Sequence, residues 1–232
     1  MEKQETKEHS FLIETEHLYK SVKSGGKRIY LLNDIGLRVA QGEFLSIMGP
    51  SGSGKSTLLN ILGMLEEFDE GLYLFDGIPV HQLKDKKKTN LYREYIGFVF
   101  QAYHLIDELT VYENIETPLL YKNVRRKERE ALVADILDRF NIVGKKELFP
   151  SQLSGGQQQL VGIARAVVSK PKLILADEPT GNLNSAQGEE IMQLFQELNK
   201  EGVTIIQATH SESNANYGSR TIHLLDGMMT KN

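Results

Sequence analysis

The sequence predicts an α/β fold in which helices cover a mainly parallel β-sheet. Short apolar segments typical of buried strands recur along the chain, and amphipathic helical segments separate several of them. The 232 residues are 40% hydrophobic and 25% charged, which suits one large domain or two small ones. A polar, helix-rich stretch from about residue 102 to residue 152 interrupts the alternation, and we interpret it as an insertion.

The first half of the chain is predicted to supply strands that lead into a glycine-rich loop. An apolar segment at 43–48 ends at Gly49, and the next segment places Leu58, Ile61 and Leu62 on one helical face. The predicted elements, in order, are strands at 10–16, 29–39 and 43–48, a helix at 55–65, a hairpin at 71–77 and a strand at 95–100.

The second half of the chain alternates helices with apolar strands more regularly. Leu132 and Ile136 share one helical face, and Ile191 and Phe195 share another. Gly202 stands where the second of these helices is expected to end. The predicted elements, in order, are a helix at 126–140, a strand at 171–176, a helix at 185–199, a strand at 203–208 and a last strand at 220–225.

The composition argues against several classes of function. The formal net charge is −4, from 27 basic and 31 acidic side chains, so no overall basic field draws the chain to nucleic acid. The chain has no cysteine, which excludes disulfides and thiolate metal sites and suits a reducing compartment. No apolar run approaches the roughly 20 residues that span a bilayer. We therefore expect a cytoplasmic protein that does not insert into the bilayer and reaches any membrane through a partner.

A glycine-rich segment between a predicted strand and a predicted helix matches the phosphate-binding pattern G-x-x-x-x-G-K-[ST]. Glycines let backbone N–H groups close around phosphate oxygens that a side chain would keep away. We expect Lys55 to meet the β- and γ-phosphates, Ser56 to hold Mg²⁺ and Thr57 to reach the α-phosphate. The candidate nucleotide-binding residues of this phosphate loop are Gly49, Pro50, Ser51, Gly52, Ser53, Gly54, Lys55, Ser56 and Thr57.

Four polar residues follow predicted strands further along the chain. Asp177 and Glu178 end an apolar strand, where Asp177 can hold the hydration shell of a metal ion and Glu178 can orient or deprotonate an attacking water. Gln101 and His210 each follow another strand, and open α/β sheets bind ligands at the carboxyl ends of their strands. Taken alone, Gln101 and His210 would more often be surface or capping residues.

A second candidate anion site lies in the segment 153–157 (LSGGQ). It precedes a helix whose apolar face includes Val161 and Ile163. The free N–H groups and the dipole of a helix N-terminus favour a negative charge. The candidate ligand-binding residues here are Ser154, Gly155, Gly156 and Gln157.

Together these motifs resemble the ATP-binding subunit of an ABC transporter, over nearly the whole chain. The resemblance implies a P-loop NTPase (ABC ATPase) fold with a mainly parallel core sheet, an antiparallel N-terminal β subdomain and an inserted α-helical subdomain. It implies a single domain over residues 1–232, with the helical subdomain at approximately 102–156. The motifs that carry it are, in order, the phosphate loop, Gln101, LSGGQ, Asp177 with Glu178, and His210.

Longer segments are similar to the group of lipoprotein-release, macrolide-export, antimicrobial-peptide-export and cell-division ATPases. These segments are GPSGSGKSTLLNILG, VFQAYHLIDELTVYENIETPLLY and ADEPTGNL. The resemblance implies an integral membrane permease subunit as partner, which would dock near Gln101 and residues 102–120. It also implies a homodimer in the ATP-bound state, in which each ATP lies on one copy's phosphate loop and under the other copy's LSGGQ segment.

The resemblance also implies a role for each site residue. Glu178 would be the general base, His210 a γ-phosphate contact and Lys55 a third member of the catalytic set. Gln101 would join that set and link Mg²⁺ to the helical subdomain, and the implied metal-binding residues are Ser56, Gln101 and Asp177. The implied activity is ATP hydrolysis that drives export, efflux or lipoprotein release. Signalling through a membrane partner and a soluble scaffolding ATPase remain alternatives.

Three positions depart from the pattern of the family that the chain resembles. Val22 stands where an aromatic residue usually stacks on adenine, with Tyr19 and Tyr30 nearby. Asn184 replaces the Asp of the usual sequence GNLDS, which removes a charge at the implied dimer interface and keeps an acceptor. Leu160 replaces an Arg in the helix after LSGGQ.

Overall fold

The structure is a computed structural model that describes residues 11–230. This part of the chain alternates strands with helices, as the sequence predicts. In chain order the elements are β1 (Phe11–Ser24), β2 (Lys27–Ala40), β3 (Phe44–Met48), α1 (Lys55–Leu62), β4 (Glu70–Phe75), β5 (Ile78–Pro79), α2 (Asp85–Tyr95), β6 (Ile96–Val99), α3 (Val111–Tyr121), α4 (Arg126–Arg139), α5 (Gly155–Val167), β7 (Leu173–Asp177), α6 (Ser185–Lys200), β8 (Thr204–Thr209), α7 (Glu212–Ala215), β9 (Arg220–Leu225) and β10 (Met228–Thr230).

The strands form two sheets. An antiparallel sheet has the order β2-β1-β4-β5, and a larger sheet has the order β10-β9-β3-β8-β7-β6. In the larger sheet β9, β3, β8, β7 and β6 run parallel, and only β10 is antiparallel to its neighbour. The predicted mainly parallel core sheet and antiparallel N-terminal sheet are therefore confirmed.

Both faces of the parallel sheet are buried, so its strands are apolar without alternation. On β7, Leu173 and Leu175 join a core shared with α1 and the antiparallel sheet. Ile174 and Ala176 point to the other face, in a core shared with α3, α4, α5 and α6. The helices α3 and α4 lie between β6 and β7 in the sequence, and α3 packs on both α4 and α5.

The parallel register aligns the carboxyl ends of the central strands at one edge of the sheet. Met48 at the end of β3 pairs with Thr209 of β8, and Asp177 of β7 pairs with Ala208. The chain leaves this edge in four loops, so groups that are far apart in the sequence converge there. These loops carry the phosphate loop, Gln101, Glu178 and His210.

Several predicted boundaries are wrong, for local reasons. The helix predicted at 55–65 ends at Leu62, because Gly63 caps it and its N–H returns to the carbonyl of Leu59. The first two strands are longer than predicted because they pair along one hairpin. The predicted start of the first strand at Ser10 lies outside the described residues.

Helices α2, α3 and α7 and strand β10 were not predicted as individual elements. The strand at 220–225 is followed by β10, which folds back through a turn in which Asp226 and Gly227 have φ values of 47° and 76°. Helix α2 precedes β6 directly and has no fully buried residue, so it carries no apolar stripe that periodicity could reveal. Within residues 11–230, no helix is long and apolar enough to cross a membrane.

Candidate functional site

A cavity of about 690 Å³ opens at the carboxyl edge of the parallel sheet. Four separate loops build its wall, together with one residue of β2. Its lining residues are Leu31, Pro50, Ser51, Gly52, Gly54, Lys55, Ser56, Thr57, Gln101, Asp177, Glu178 and His210. The structure therefore brings together all the predicted catalytic and metal-binding residues and most of the phosphate loop.

Glycines shape the phosphate loop through their backbone conformations and through close packing. Gly52 and Gly54 have φ values of 78° and 103°, which side chains disfavour. A Cβ at Gly49 would come within 2.2 Å of the carbonyl oxygen of Leu224, and one at Gly54 within 2.6 Å of that of Leu31. The loop leads straight into the N-terminus of α1 at Lys55, where free backbone N–H groups can bind an anion.

The polar side chains of this loop are arranged for a ligand. Lys55 is only 6% exposed, and its Nζ donates to the carbonyl oxygens of Gly49 and Pro50 at 2.7 and 2.9 Å. No acidic side chain pairs with this ammonium group within the described chain. The Oγ of Ser53 is buried without a hydrogen-bond partner among residues 11–230. Such groups are costly unless a ligand or water satisfies them.

The two carboxylates have different surroundings. Burial raises the pKa of Asp177, while a hydrogen bond with Ser56 acts in the opposite direction. The neighbouring charge of Glu178 adds to the rise in the pKa of Asp177, and that of Lys55 opposes it. A cation at Asp177 and Ser56 would offset the cost of keeping this carboxylate ionised.

Glu178 has an unusual backbone conformation for a residue with a side chain. Its φ is 45°, in the left-handed region, and such a conformation persists only where the surroundings fix it. The Glu178 N–H donates to the carbonyl of Ala208, and its carbonyl accepts from the N–H of Gly181. Its carboxylate Oε1 lies 2.8 Å from Nδ1 of His210. The strands β7 and β8 thus place a carboxylate and a histidine side by side.

Gln101 lies on the exposed rim of the cavity, next to the loop that follows Glu178. Asn182 Nδ2 donates to the Gln101 carbonyl oxygen at 2.9 Å. A Cβ at Gly181 would come within 2.8 Å of Gln101 Nε2. The chain beyond Gln101 is held by Arg165 of α5, whose guanidinium donates to the carbonyl oxygens of Tyr103 and His104.

The LSGGQ segment lies in a different cavity, of about 550 Å³. Ser154 caps α5 in a capping box with Gln157, and Gly155 faces the hydroxyl of Tyr103. Among the described residues, this second cavity shares no lining residue with the first. Its lining residues are Arg139, Phe140, Asn141, Ile142, Lys145, Ser154, Gly156, Gln157, Leu160, Gln187, Glu190, Ile191 and Leu194.

Some residues at the site were not predicted, and the structure bears on two of the three departures, Val22 and Asn184. Val22 pairs with Ile29 near the tip of the β1–β2 hairpin, and Leu31 rather than Val22 contributes to the cavity wall. The contacts of Leu31 and Arg165 join segments that are distant in sequence, so no local motif signals them. Asn184 caps α6 by accepting from the Gln187 N–H at 3.0 Å, a role that needs only an acceptor oxygen.

Comparison with known proteins decides the family. The family model described as "ABC transporter" matches residues 32–181. The chain belongs to the ABC transporter family. Its motifs in the phosphate loop, at Gln101 and at 153–157 fall inside this range. The chain is thus a nucleotide-binding ABC ATPase, with the fold that this family shares.

Relatives and solved structures of other ABC proteins agree. The chain is 45% identical over 211 residues to the ABC transporter ATP-binding protein YvrO of Bacillus subtilis, covering 91% of this chain and 92% of YvrO. It is 46% identical over 216 residues to the macrolide export ATP-binding/permease protein MacB of Sodalis glossinidius, covering 93% of this chain. It spans only 33% of that MacB, about a third of the length.

The structural neighbours include a dimer of the ABC cassette MJ0796, a protein of Methanocaldococcus jannaschii, in a post-hydrolysis state with ADP and phosphate. The TM-score is 0.89 and the identity 43%, with 94% of this chain and 97% of that chain covered. A second dimeric MJ0796 structure matches with the same TM-score of 0.89 and 44% identity, at the same coverage of 94% and 97%.

Proposed function

We propose that this ABC ATPase binds Mg²⁺ and ATP on its phosphate loop and hydrolyses the ATP when a second copy supplies its LSGGQ segment. One observation carries the proposal: within the described chain, the phosphate loop and the LSGGQ segment line cavities with no residue in common. A head-to-tail pair of copies would bring each loop opposite the other copy's segment. The dimeric MJ0796 structures support the pairing of two copies.

The residues of the first cavity fit a nucleotide and a divalent cation. Lys55 and the buried Ser53 hydroxyl offer donors to phosphate oxygens, and the N-terminus of α1 offers backbone N–H groups. Ser56, Asp177 and Gln101 offer the oxygen ligands that Mg²⁺ prefers. When bound, Mg²⁺ neutralises charge on the β- and γ-phosphates.

Glu178 would accept the proton of the attacking water, and His210 would position Glu178. The Glu178 carboxylate accepts a proton from water as the water oxygen forms a bond to the γ-phosphorus. The bond between that phosphorus and the oxygen bridging to the β-phosphate breaks, which leaves ADP and phosphate. His210, 2.8 Å from Glu178, orients the carboxylate and contacts the γ-phosphate. ATP would join the two copies, and hydrolysis would release them.

A groove of about 380 Å³ beside Gln101 fits a helix of a membrane permease. Its wall is mainly apolar and aromatic and includes Phe100, His104, Ile106, Pro118 and Tyr121. Tyr121 is 60% exposed, which favours burial against a partner. We place this groove where an inserted helical subdomain at about 102–156 meets α2, β6 and α5, so that closure around ATP moves the docked helix. The protein would then act from the cytoplasmic face of the membrane.

The macrolide-export relatives favour transport over signalling as the use of this motion. Their name joins ATP-binding and permease functions in one protein, and the present chain spans about a third of that protein's length. By analogy, export or efflux through a permease subunit is the function that we assign. The permease, rather than this chain, would select the cargo.

The partner is tested by co-purification and the activity by vesicle transport. The full chain should co-purify with a multi-span membrane protein, and ATP should drive substrate across vesicles that contain both. Tyr121→Glu should abolish the co-purification while preserving ATP binding, because a charge in the apolar groove disfavours docking. Met228→Glu, at another exposed apolar position, on β10 and outside the groove, is the matched control and should co-purify normally. Retention of the permease by Tyr121→Glu, or hydrolysis in such vesicles without any substrate movement, would contradict the proposal.

A further inference from the structure

A chain of buried and partly buried hydrogen bonds runs from β3 through β8 and α7 to the loop after Glu178. Gln207 of β8 and Ser46 of β3 are both fully buried. Gln207 Nε2 donates to Ser46 Oγ at 2.9 Å and to the Asn214 carbonyl oxygen at 2.7 Å. Asn214 Nδ2 in turn donates to Thr180 Oγ1 at 2.7 Å. The chain of contacts thus ends two residues beyond Glu178.

This arrangement is costly in the middle of an apolar sheet. The Oε1 of Gln207 is buried with no hydrogen-bond partner in the described part of the protein, and an unmade hydrogen bond at a buried polar atom is destabilising. An apolar side chain would fill the same place on β8 without that cost. The two donors of Gln207 must therefore do something that packing alone does not, and both are directed at neighbours of the site.

The hydrogen bonds of Gln207 and Ser46 fix a short helix in place. Helix α7 has only four residues, too few to be stable by itself. Gln207 holds it through the Asn214 carbonyl, and Ser46 Oγ donates to the Ala215 carbonyl oxygen at 2.9 Å. Since Ser46 lies on the strand that leads into the phosphate loop, α7 is tied to the same strand that positions that loop.

The hydrogen bond from Asn214 to Thr180 restrains the loop that carries Glu178. The left-handed φ of Glu178 is maintained by the residues around it. Thr180 is held by Asn214, and Pro179 is held from the other side by Gln159 of α5, whose Nε2 donates to the Pro179 carbonyl oxygen at 2.7 Å. Thr180 also packs against α6, since its Cβ lies 3.5 Å from where a Cβ at Gly188 would stand, an ordinary contact distance.

We propose that Asn214 is a positioning residue for ATP hydrolysis, which holds Thr180 so that Glu178 keeps the backbone conformation in which its carboxylate meets the attacking water. Gln207 and Ser46 anchor Asn214 to the strand before the phosphate loop, so the base and the phosphates keep one relative position. The inference rests on the proposed role of Glu178 as the general base.

Two isosteric substitutions test the Asn214–Thr180 contact. Asn214→Leu and Thr180→Val should each lower kcat for ATP about tenfold, the effect of losing one well-placed hydrogen bond, with KM for ATP unchanged. The double variant should be no slower than either single one, because both remove the same bond. Thr180→Ser keeps the hydroxyl and should retain the parent kcat. Asn216→Leu, at the exposed residue that follows α7, should also retain the parent kcat.

Amide hydrogen exchange supplies a second readout. Exchange at 179–183 should be faster in Asn214→Leu than in the parent protein, while exchange in β7 stays unchanged, which separates loop release from general unfolding. The inference is overturned if Asn214→Leu and Thr180→Val keep kcat within about twofold of the parent, if the two effects multiply, or if KM rises with kcat unchanged. A parent-like rate in Glu178→Gln would instead refute the base itself, which is a separable result.

Discussion

His210 Nδ1 lies 2.8 Å from Glu178 Oε1, across the gap between the loops that follow β8 and β7. The two side chains are joined by one hydrogen bond at the mouth of the cavity, and His210 is the more exposed of the two. This contact can restrain the carboxylate in one orientation while leaving its second oxygen free for water. In the proposed mechanism, His210 would also contact the γ-phosphate.

His210→Ala is therefore expected to lower kcat for ATP about 10²-fold, since it removes a positioned hydrogen-bonding group from the reacting centre. Steady-state phosphate release measures this, and nucleotide binding should be nearly unaffected. The matched control is His17→Ala, which removes an exposed histidine that pairs with Asp34 on the antiparallel sheet. Equal losses in the two variants would argue against a specific role for His210.

Two inactive variants should restore activity when mixed. Lys55→Ala disables every phosphate loop, and Gly156→Asp places a negative charge in every LSGGQ segment while keeping a residue that suits the first turn of a helix. The Asp side chain has to displace the flexible end of Gln187, 2.5 Å from the new Cβ. In a mixed dimer, the intact loop of one copy meets the intact segment of the other.

When equal amounts of the two variants mix at random, half of the dimers are mixed, and each mixed dimer has one working site of two. If the sites act independently, the mixture should hydrolyse ATP at about a quarter of the parent rate. The measurement is ATP turnover against the mixing ratio, with each variant alone as the control. A mixture with no more activity than its components would mean that one copy forms its own complete site.

Leu160→Arg, which introduces the residue typical of the family pattern, should destabilise the chain more than it changes turnover. Leu160 packs against the helical core and borders the cavity that already contains Lys145 and Arg139. The loss of half-buried apolar area is expected to cost about 1 kcal/mol of unfolding free energy, and added charge near two cations gives no gain. Denaturant unfolding with Leu160→Met as the control measures this. Faster turnover in Leu160→Arg would contradict this expectation. It would show that a cation at this position assists hydrolysis of the nucleotide bound to the second copy.

The stability of the β1–β2 hairpin should depend on pH through Asp69. Hydrogen bonds from Ser21 lower the pKa of Asp69, with a further contribution from Arg28, against a smaller opposing effect of burial. Its ionised form therefore stabilises the fold above the ordinary pKa range of an aspartate, and this stabilisation is lost as the pH falls through the lowered pKa.

Asp69→Asn should accordingly lower the unfolding temperature at neutral pH, and the difference from the parent should shrink toward acid pH. Asp135→Asn, on the exposed face of α4, provides the comparison and should shift the unfolding temperature little at any pH. A difference for Asp69→Asn that grows as the pH falls would contradict the direction of the pKa change.

The sequence predicted the sheet and the cavity well because both depend on local signals. Apolar strands bounded by glycines, and the pattern from Gly49 to Thr57, are visible without tertiary information. The parallel order of the strands then places the ends of β6, β7 and β8 together, so Gln101, Asp177 and His210 follow.

What could not be predicted arises from contacts between distant segments. Helix α2 has no buried stripe, so periodicity gave no sign of it. The left-handed φ of Glu178 depends on Ala208 and Gly181, and no residue type at that position indicates it. The hydrogen bond between Asn214 and Thr180 joins positions 34 residues apart, and each residue alone resembles an ordinary loop residue.

Glu178→Gln in the presence of ATP and Mg²⁺ tests the central claim most directly. Glutamine keeps the size and hydrogen bonding of the side chain but cannot accept the proton, so hydrolysis should fall about 10²- to 10⁴-fold and ATP should remain between two copies. Light scattering after size exclusion should then give the mass of a dimer, and Glu178→Gln with Gly156→Asp should give that of a monomer. A monomer for Glu178→Gln alone at saturating ATP and Mg²⁺ would contradict the account.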